Sequence, residues 1–442
     1  MKQSDYDTIF ASSSQFRSAI KIIRISGNRA KQLPRILNFN KPDPRVFSLR
    51  KLIYKNRVID NAPVVWLPKK YSFTGEDTYE IYIHGSIAIE KLLYKALSSY
   101  KNFRQALPGE FTKRATINGN IDLVQAESIN EIINAQTEKQ LSIAQSQLDG
   151  SLSKVVKSWR KEIIQISSLI ESLIDFSDED IPQELSSVIL NEINEIRSKI
   201  KNSINSAKLS SFIKEGFTIA IIGKPNVGKS SLINTLTKLN TSIVSDIPGT
   251  TRDVIQQKID LKGLPVTLYD TAGIRKTNNV IEKKGIELAI DIIKKSNLIL
   301  NLCEKGDFKY SFLEKDLLDN IKIKVINVKT KADLRKGPNK NADIEISSKT
   351  NFGINTLLKI VYSYLSSLEP KESSLITSER QVLQSKKALQ ALNRIKRLSI
   401  IEETELVAEE LRLASNHISN ITSSIDNEDI LDKIFSNFCI GK

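Results

Sequence analysis

Sulfur and imidazole are scarce in this chain: its 442 residues include two cysteines, one methionine and two histidines. Cys303 lies in an apolar run and Cys439 near the end. Two cysteines so placed make no disulfide framework and point to a reducing compartment. His84 and His417 are the only histidines, so no Cys/His spacing suited to zinc exists. No apolar run approaches the roughly 20 residues of a membrane span. The opening MKQSDYDTIF lacks a secretory signal pattern. The expectation is a cytoplasmic protein with no membrane association. Its length is large for one domain, so two or three are expected.

Acid is also in short supply. Lys and Arg number 65 against 51 Asp and Glu, a net charge of +14. From Arg17 to Arg57 there are twelve basic residues and one acid, Asp43. Such a stretch suits an anionic macromolecule such as RNA. A solvated face in a chain rich in Lys, Ile and Asn accounts for it equally well.

What the chain has in full is a phosphate-binding loop. Residues 217–231 read FTIAIIGKPNVGKSS, a β-branched run ending in G-x-x-x-x-G-K-S at 223–230 and followed by the helix-like SLINTLTKL. Gly223 and Gly228 let the backbone turn its N–H groups inward, with Asn226 and Val227 between them. Lys229 reaches the terminal phosphates, Ser230 offers a hydroxyl to magnesium, and Ser231 opens the helix. Asp270-Thr271-Ala272-Gly273 follows the apolar LPVTLYD. Asp270 is expected to hold magnesium through water, and the Gly273 N–H to sense the last phosphate. Between them lies Gly249-Thr250-Thr251-Arg252-Asp253, where Thr251 is the expected threonine on magnesium. After IKVINVK come Thr330-Lys331-Ala332-Asp333, whose Asp333 would accept two hydrogen bonds from guanine. Ser347-Ser348-Lys349 would form the second guanine-side loop. These elements, in this order, describe a Ras-like P-loop GTPase domain. The commonest guanine motif starts with Asn, and the Thr330 hydroxyl could replace part of that bonding.

Residues 1–118 alternate β-like runs (SAIKIIRIS, APVVWLP, TYEIYIHG) with helical pieces, an α+β domain. Helical spacing then dominates 119–215, carried by Leu152, Val156, Trp159, Ile163, Ile166, Ile170 and Leu173, with a break at DFSDEDIP (175–182). The GTPase domain occupies 216–368, and helical periodicity returns over 369–442. The fold class is therefore multidomain: an α/β P-loop GTPase domain inserted into a discontinuous all-α domain, behind an N-terminal α+β domain.

Many small GTPases place a water-orienting Gln directly after DTAG. Ile274 stands there and cannot serve. Glu282 is the nearest acid after the loop; taken alone it reads as a surface residue at a helix start. The missing positive charge could come from Arg252, Arg275, a partner's arginine or a metal ion.

The chain resembles the tRNA modification GTPases called MnmE or TrmE over essentially its whole length. The resemblance rests on FTGED-x-x-E at 73–80, HG at 84–85, LPGEFTKRA at 107–115, NG-x-IDL-x-QAE at 118–127, ELVAEELRLA at 405–414 and the terminal FCIGK at 438–442. Such proteins act with an FAD-containing partner, MnmG (GidA), in a heterotetramer. Together they install a carboxymethylaminomethyl group at C5 of the tRNA wobble uridine. A tetrahydrofolate such as 5-formyltetrahydrofolate supplies the one-carbon unit. The resemblance further implies homodimerisation through residues 1–118 and a potassium ion in place of an arginine finger. Asn226, Ser245, Ile247 and Thr250 match the potassium site, within a loop that also contains Asp246, Pro248 and Gly249. Ser230 and Thr251 match magnesium ligands, and Glu282 the catalytic acid that orients water. Arg24, Glu80 and Lys442 match folate contacts; Asn120 stands where a basic residue is usual. The early glycine-rich stretch is here Phe16-Arg17-Ser18-Ala19-Ile20-Lys21. Cys439 reads as packing beside the folate pocket. The alternatives are a ribosome-assembly or RNA-binding GTPase, and a degenerate partner that no longer binds folate.

Overall fold

The computed structural model describes residues 7–14, 18–175, 183–239, 256–270, 290–304, 323–334, 342–368, 376–423, 428–436 and 438–441. The chain forms two compact units. One comprises Met1–Asn130, Gln147–Ile181 and Arg397–Lys442, the other Glu131–Ser146 and Pro182–Lys396. Helices whose periodicity reads as one group are thus found in both units.

The first unit contains a sheet of β1 (Thr8–Ser12), β2 (Ile20–Ser26), β3 (Ser48–Tyr54), β4 (Arg57–Leu67), β5 (Thr78–His84) and β6 (Phe103–Gln105), ordered β3-β4-β5-β2-β1-β6. Its pairs are antiparallel except β1 with β6. Strand side chains alternate between faces. Tyr79, Ile81 and Ile83 of β5 and Ile23 and Ile25 of β2 therefore share a core with Leu33, Leu93, Ala96 and Leu97. Arg24 and Glu80 lie directly opposite each other across β2 and β5 on the other face. The helices α1 (Leu33–Ile36) and α2 (Ile87–Ser98) supply the helical side of this core. Beyond the sheet, α3 (Glu110–Ile117) buries Phe111 against Ile9, Ala11 and Ala106.

Two more helices of this unit pack as a pair, α6 (Ser151–Asp175) with α11 (Thr404–Thr422). Alternating steps of four and three residues separate the buried Leu152, Val156, Trp159, Ile163, Ile166, Ile170 and Leu173. The same steps separate Val407, Leu411, Ala414, Ile418 and Ile421. That rhythm gives each helix one continuous apolar seam. Full burial of each large aliphatic side chain there contributes roughly 1.5–3 kcal/mol. The last helix, α12 (Glu428–Phe435), joins Phe435 and Phe438 to Leu123 and Ala126 at α4 (Leu123–Asn134).

In the second unit, α7 (Gln183–Glu215) packs along α10 (Glu379–Ile395). The latter opens with a capping box: Gln381 N donates to Ser378 Oγ, and Ser378 N to Gln381 Oε1. A six-stranded sheet follows, ordered β12-β11-β10-β7-β9-β8. Its strands are β7 (Phe217–Gly223), β8 (Gln256–Leu261), β9 (Leu264–Asp270), β10 (Leu298–Cys303), β11 (Lys324–Lys329) and β12 (Ile344–Glu345). All pairs are parallel except β8 with β9. Central strands of a parallel sheet are covered on both faces and so read as unbroken apolar runs. This is why FTIAIIG and LILNLC are almost wholly buried. The helices α8 (Lys229–Leu239) and α9 (Ile354–Ser367) bring Leu232, Ile233, Leu357 and Val361 onto the sheet. No described helix is long and apolar enough to cross a membrane.

Candidate functional site

The phosphate loop leaves β7, an inner strand between β9 and β10, and enters α8. In open α/β sheets, ligands bind outside the carboxyl ends of the strands. Gly223 sits where β7 passes the end of β10: a Cβ there would lie 2.4 Å from the Leu302 carbonyl oxygen, and φ is +139°. No other residue fits. Asn226 takes a left-handed conformation, φ +60°, within the loop. The buried Lys229 folds over this turn, and its Nζ donates to Gly223 O at 2.6 Å and Lys224 O at 2.8 Å. Its charge is thereby held at the loop that would receive phosphates.

Register then brings a carboxylate to the helix start. Asp270 ends β9 opposite Ile221 of β7. It is 1% exposed, and Ser230 Oγ donates to its Oδ2 at 2.8 Å. A hydroxyl and a carboxylate so close form a hard-oxygen donor set that fits magnesium.

The guanine-side loop is attached to the same turn. Thr330 follows β11; its N–H donates to Cys303 O at 2.8 Å and its Oγ1 to Val227 O at 2.7 Å. The hydroxyl thus ties this loop to the phosphate loop. Ala332 N donates to Ile346 O, and Ser347 Oγ donates to Asp333 Oδ1 at 2.6 Å. This Ser347 hydrogen bond holds the Asp333 carboxyl below its usual range, and the positive charges of Lys349 and Lys331 act in the same direction. Asp333 stays an acceptor, as recognition of guanine N–H groups requires. Lys331 is paired with Glu304 at 2.8 Å. Asn226, Val227, Gly228, Lys229, Ser230, Ser231, Asp270, Thr330, Lys331, Asp333, Ser347, Ser348 and Lys349 all lie in the strand end, loops and helix start at this end of one sheet. Ser245, Asp246, Ile247, Pro248, Gly249, Thr250, Thr251, Thr271, Ala272, Gly273 and Glu282 lie outside the described residues.

The N-terminal unit brings Arg24 and Glu80 together. Arg24 Nε donates to Glu80 Oε1 at 3.0 Å, and the Tyr82 hydroxyl to Glu80 Oε2 at 3.0 Å. The Arg24 guanidinium lies 5.7 Å from the Phe111 ring centre. The Arg24 and Glu80 side chains both remain partly exposed. Asn120 has a different occupation: its amide donates to Ser72 O at 3.2 Å and Phe73 O at 3.0 Å, holding the turn before Gly75. Lys442 lies outside the described residues.

Sequence reasoning missed what several motif residues do. The buried Arg114 donates to Glu76, Glu110 and the Asp7 carbonyl. Arg104 grips Glu110 with both NH groups, at 2.8 and 2.6 Å, and reaches Asp7 at 3.2 Å. Ser26 donates to Glu76 and shares a 2.7 Å hydrogen bond with Thr74. The acid and base of FTGED and PGEFTKRA therefore lock α3 to the sheet. The terminal motif also has a packing reason. Gly441 passes so close to β1 that a Cβ would lie 2.0 Å from Ser12 O, and Gly109 N donates to Cys439 O at 3.4 Å.

An inner-strand phosphate loop, a Ser–Asp pair at its mouth and an Asp333-bearing loop bonded to it define a P-loop GTPase domain. Residues 8–120 match the family model for the GTP-binding protein TrmE N-terminus, and residues 123–439 that for the MnmE helical domain. The chain belongs to the MnmE family. It is 39% identical to the tRNA modification GTPase MnmE of Pelagibacter ubique over 96% of this chain and 97% of that protein. The proteins of the same name from Rickettsia prowazekii and Methylorubrum populi are 38% and 36% identical. Each match covers 99% of this chain and at least 98% of the relative.

Proposed function

We propose that this protein hydrolyses GTP to GDP and phosphate and acts in tRNA modification. The observation that carries the GTPase part is the phosphate loop's double attachment: Ser230 to Asp270, and Val227 to Thr330. The tRNA part rests on family membership. Lys229 binds the terminal phosphates, and Asp333 accepts hydrogen bonds from guanine. Glu282 orients the attacking water. Magnesium held by Ser230 and Thr251, with Asp270 outside, would neutralise phosphate charge. Potassium held by Asn226, Ser245, Ile247 and Thr250 would supply the positive charge that an arginine finger supplies elsewhere.

The finer reading is wobble-uridine carboxymethylaminomethylation, carried out in the cytoplasm by a homodimer with an MnmG-type FAD protein. Arg24 and Glu80 would contact the tetrahydrofolate, with Lys442 beside them. Mass spectrometry of wobble nucleosides from a strain lacking the protein tests it. Loss of the C5 group, restored by the gene, is expected; an unchanged nucleoside profile overturns the modification role. One observation favours a second reading, a GTP-driven partner without folate: the Asn120 amide is engaged with backbone, where the family usually has a cation. Titration with 5-formyltetrahydrofolate separates the two.

A further inference from the structure

The basic stretch noted in the sequence has a use that the nucleotide and folate sites do not absorb. In the N-terminal unit, a cavity of about 500 Å³ opens between the end of α1, the β3–β4 turn and the end of α2. Arg35, Tyr54, Lys55, Asn56, Ser99 and Tyr100 line it, and no carboxylate does. Its volume falls within the range of small-ligand pockets, roughly 300–1,000 Å³. The β3–β4 turn is tight: Lys55 and Asn56 have φ of +49° and +59°. That turn fixes Lys55 at the rim. Tyr54 donates to Ser99 Oγ at 3.0 Å, and Ser99 donates to Ala96 O at 2.7 Å, so the phenol is anchored to α2. Tyr100 stays 37% exposed, with its ring braced edge-on by Phe103 at 6.4 Å.

Two exposed cations, two held aromatic rings and the Asn56 amide, with no acid among them, match one chemistry. Cations take a phosphodiester, a ring stacks a base, and amides read a base edge. We propose that this cavity receives one unstacked nucleotide of an RNA strand, its phosphate at Arg35 and Lys55 and its base against Tyr100. The proposal rests on the tRNA reading above and adds a contact surface to it.

The test uses the full-length protein and a tRNA anticodon stem-loop transcript, with binding followed by fluorescence anisotropy across a salt series. Arg35→Gln/Lys55→Gln keeps side-chain length and removes both charges. One lost phosphate contact lowers the salt slope by about 0.7 for a single strand, so the slope should fall by about 0.7 and affinity roughly fourfold at 0.15 M salt. Tyr100→Ala should weaken binding without changing the slope. GTP turnover in both variants should match wild type, which shows that they are folded. An unchanged slope and affinity in the double variant overturns the proposal. Uridine monophosphate that displaces the stem-loop at micromolar concentration also overturns it, in favour of a free-nucleotide site. An unaltered nucleoside profile in the deletion strain overturns the tRNA reading separately.

Discussion

Thr330→Val is the most direct probe of how the two halves of the nucleotide site are joined. Valine keeps the shape and removes the hydroxyl that donates to Val227 O at 2.7 Å, at a residue 5% exposed. The net worth of such a bond is about 1 kcal/mol, and leaving a buried acceptor unpaired raises the loss to 1–3 kcal/mol. The bond fixes the spacing between the guanine-side and phosphate loops. Without it, nucleotide binding must restore that spacing, so the loss falls on affinity as well as on stability. A cost of about 1–2 kcal/mol corresponds to a factor of roughly 5–30 in Kd. Displacement of a fluorescent GDP by GTP measures it. Thr330→Ser, which retains the hydroxyl, should stay near wild type, and Thr330→Asn should hold or tighten binding because its amide can also donate. If Thr330→Val binds within twofold of wild type, the hydroxyl does not couple the loops.

Further outcomes follow from the same geometry. Burial raises the pKa of the Glu110 carboxyl, but hydrogen bonds from Arg104 and Leu107 N and the charges of Arg114 and Arg104 outweigh it, leaving a net lowering from 4.5. Its contribution to stability is therefore complete above about that value and lost as pH falls through the lowered one. Glu110→Gln should lower the unfolding midpoint at pH 7 and flatten its acid dependence, read by circular dichroism between pH 3 and 7; an unaltered profile would remove Glu110 from this role. Gly441→Ala places a methyl 2.0 Å from Ser12 O at φ +94° and should release the terminal segment, costing roughly 1–3 kcal/mol. Carboxypeptidase sensitivity reports that release, and a resistant variant would contradict the close approach. Glu282→Ala should cut GTP turnover by roughly 10²-fold while leaving GTP affinity nearly intact, because water orientation acts in the transition state. Turnover should be faster in potassium than in sodium for the wild type, and Asn226→Ala should erase the difference; equal wild-type rates would remove potassium from the site.

The GTPase fold was legible because its motifs are local. A strand, a glycine turn and a helix within about fifteen residues specify a phosphate loop by backbone geometry alone. Helical seams such as Leu152 to Leu173 were legible for a similar reason, since burial on one helix face repeats every three or four residues. Short strands such as β1 and β6 were not, because a few residues carry little periodic signal. Neither was the pairing of the helices, because one apolar seam looks like another until its partner is known. The pairing of α6 with α11 and of α7 with α10 depends on contacts between segments more than a hundred residues apart.

The site divides along the same line. Sequence by itself determined which chemistry is present: the lysine, serine and aspartates of a nucleotide site, each recognised from its neighbours. Tertiary structure decided which of these groups meet. It joined Thr330 to Val227 and Asp270 to Ser230, turned Asn120 onto the backbone at Ser72 and Phe73, and made a lock of Glu76, Glu110 and Arg114. A residue's type fixes what it can donate or accept, whereas its partner is fixed by chain register and by which faces are buried together.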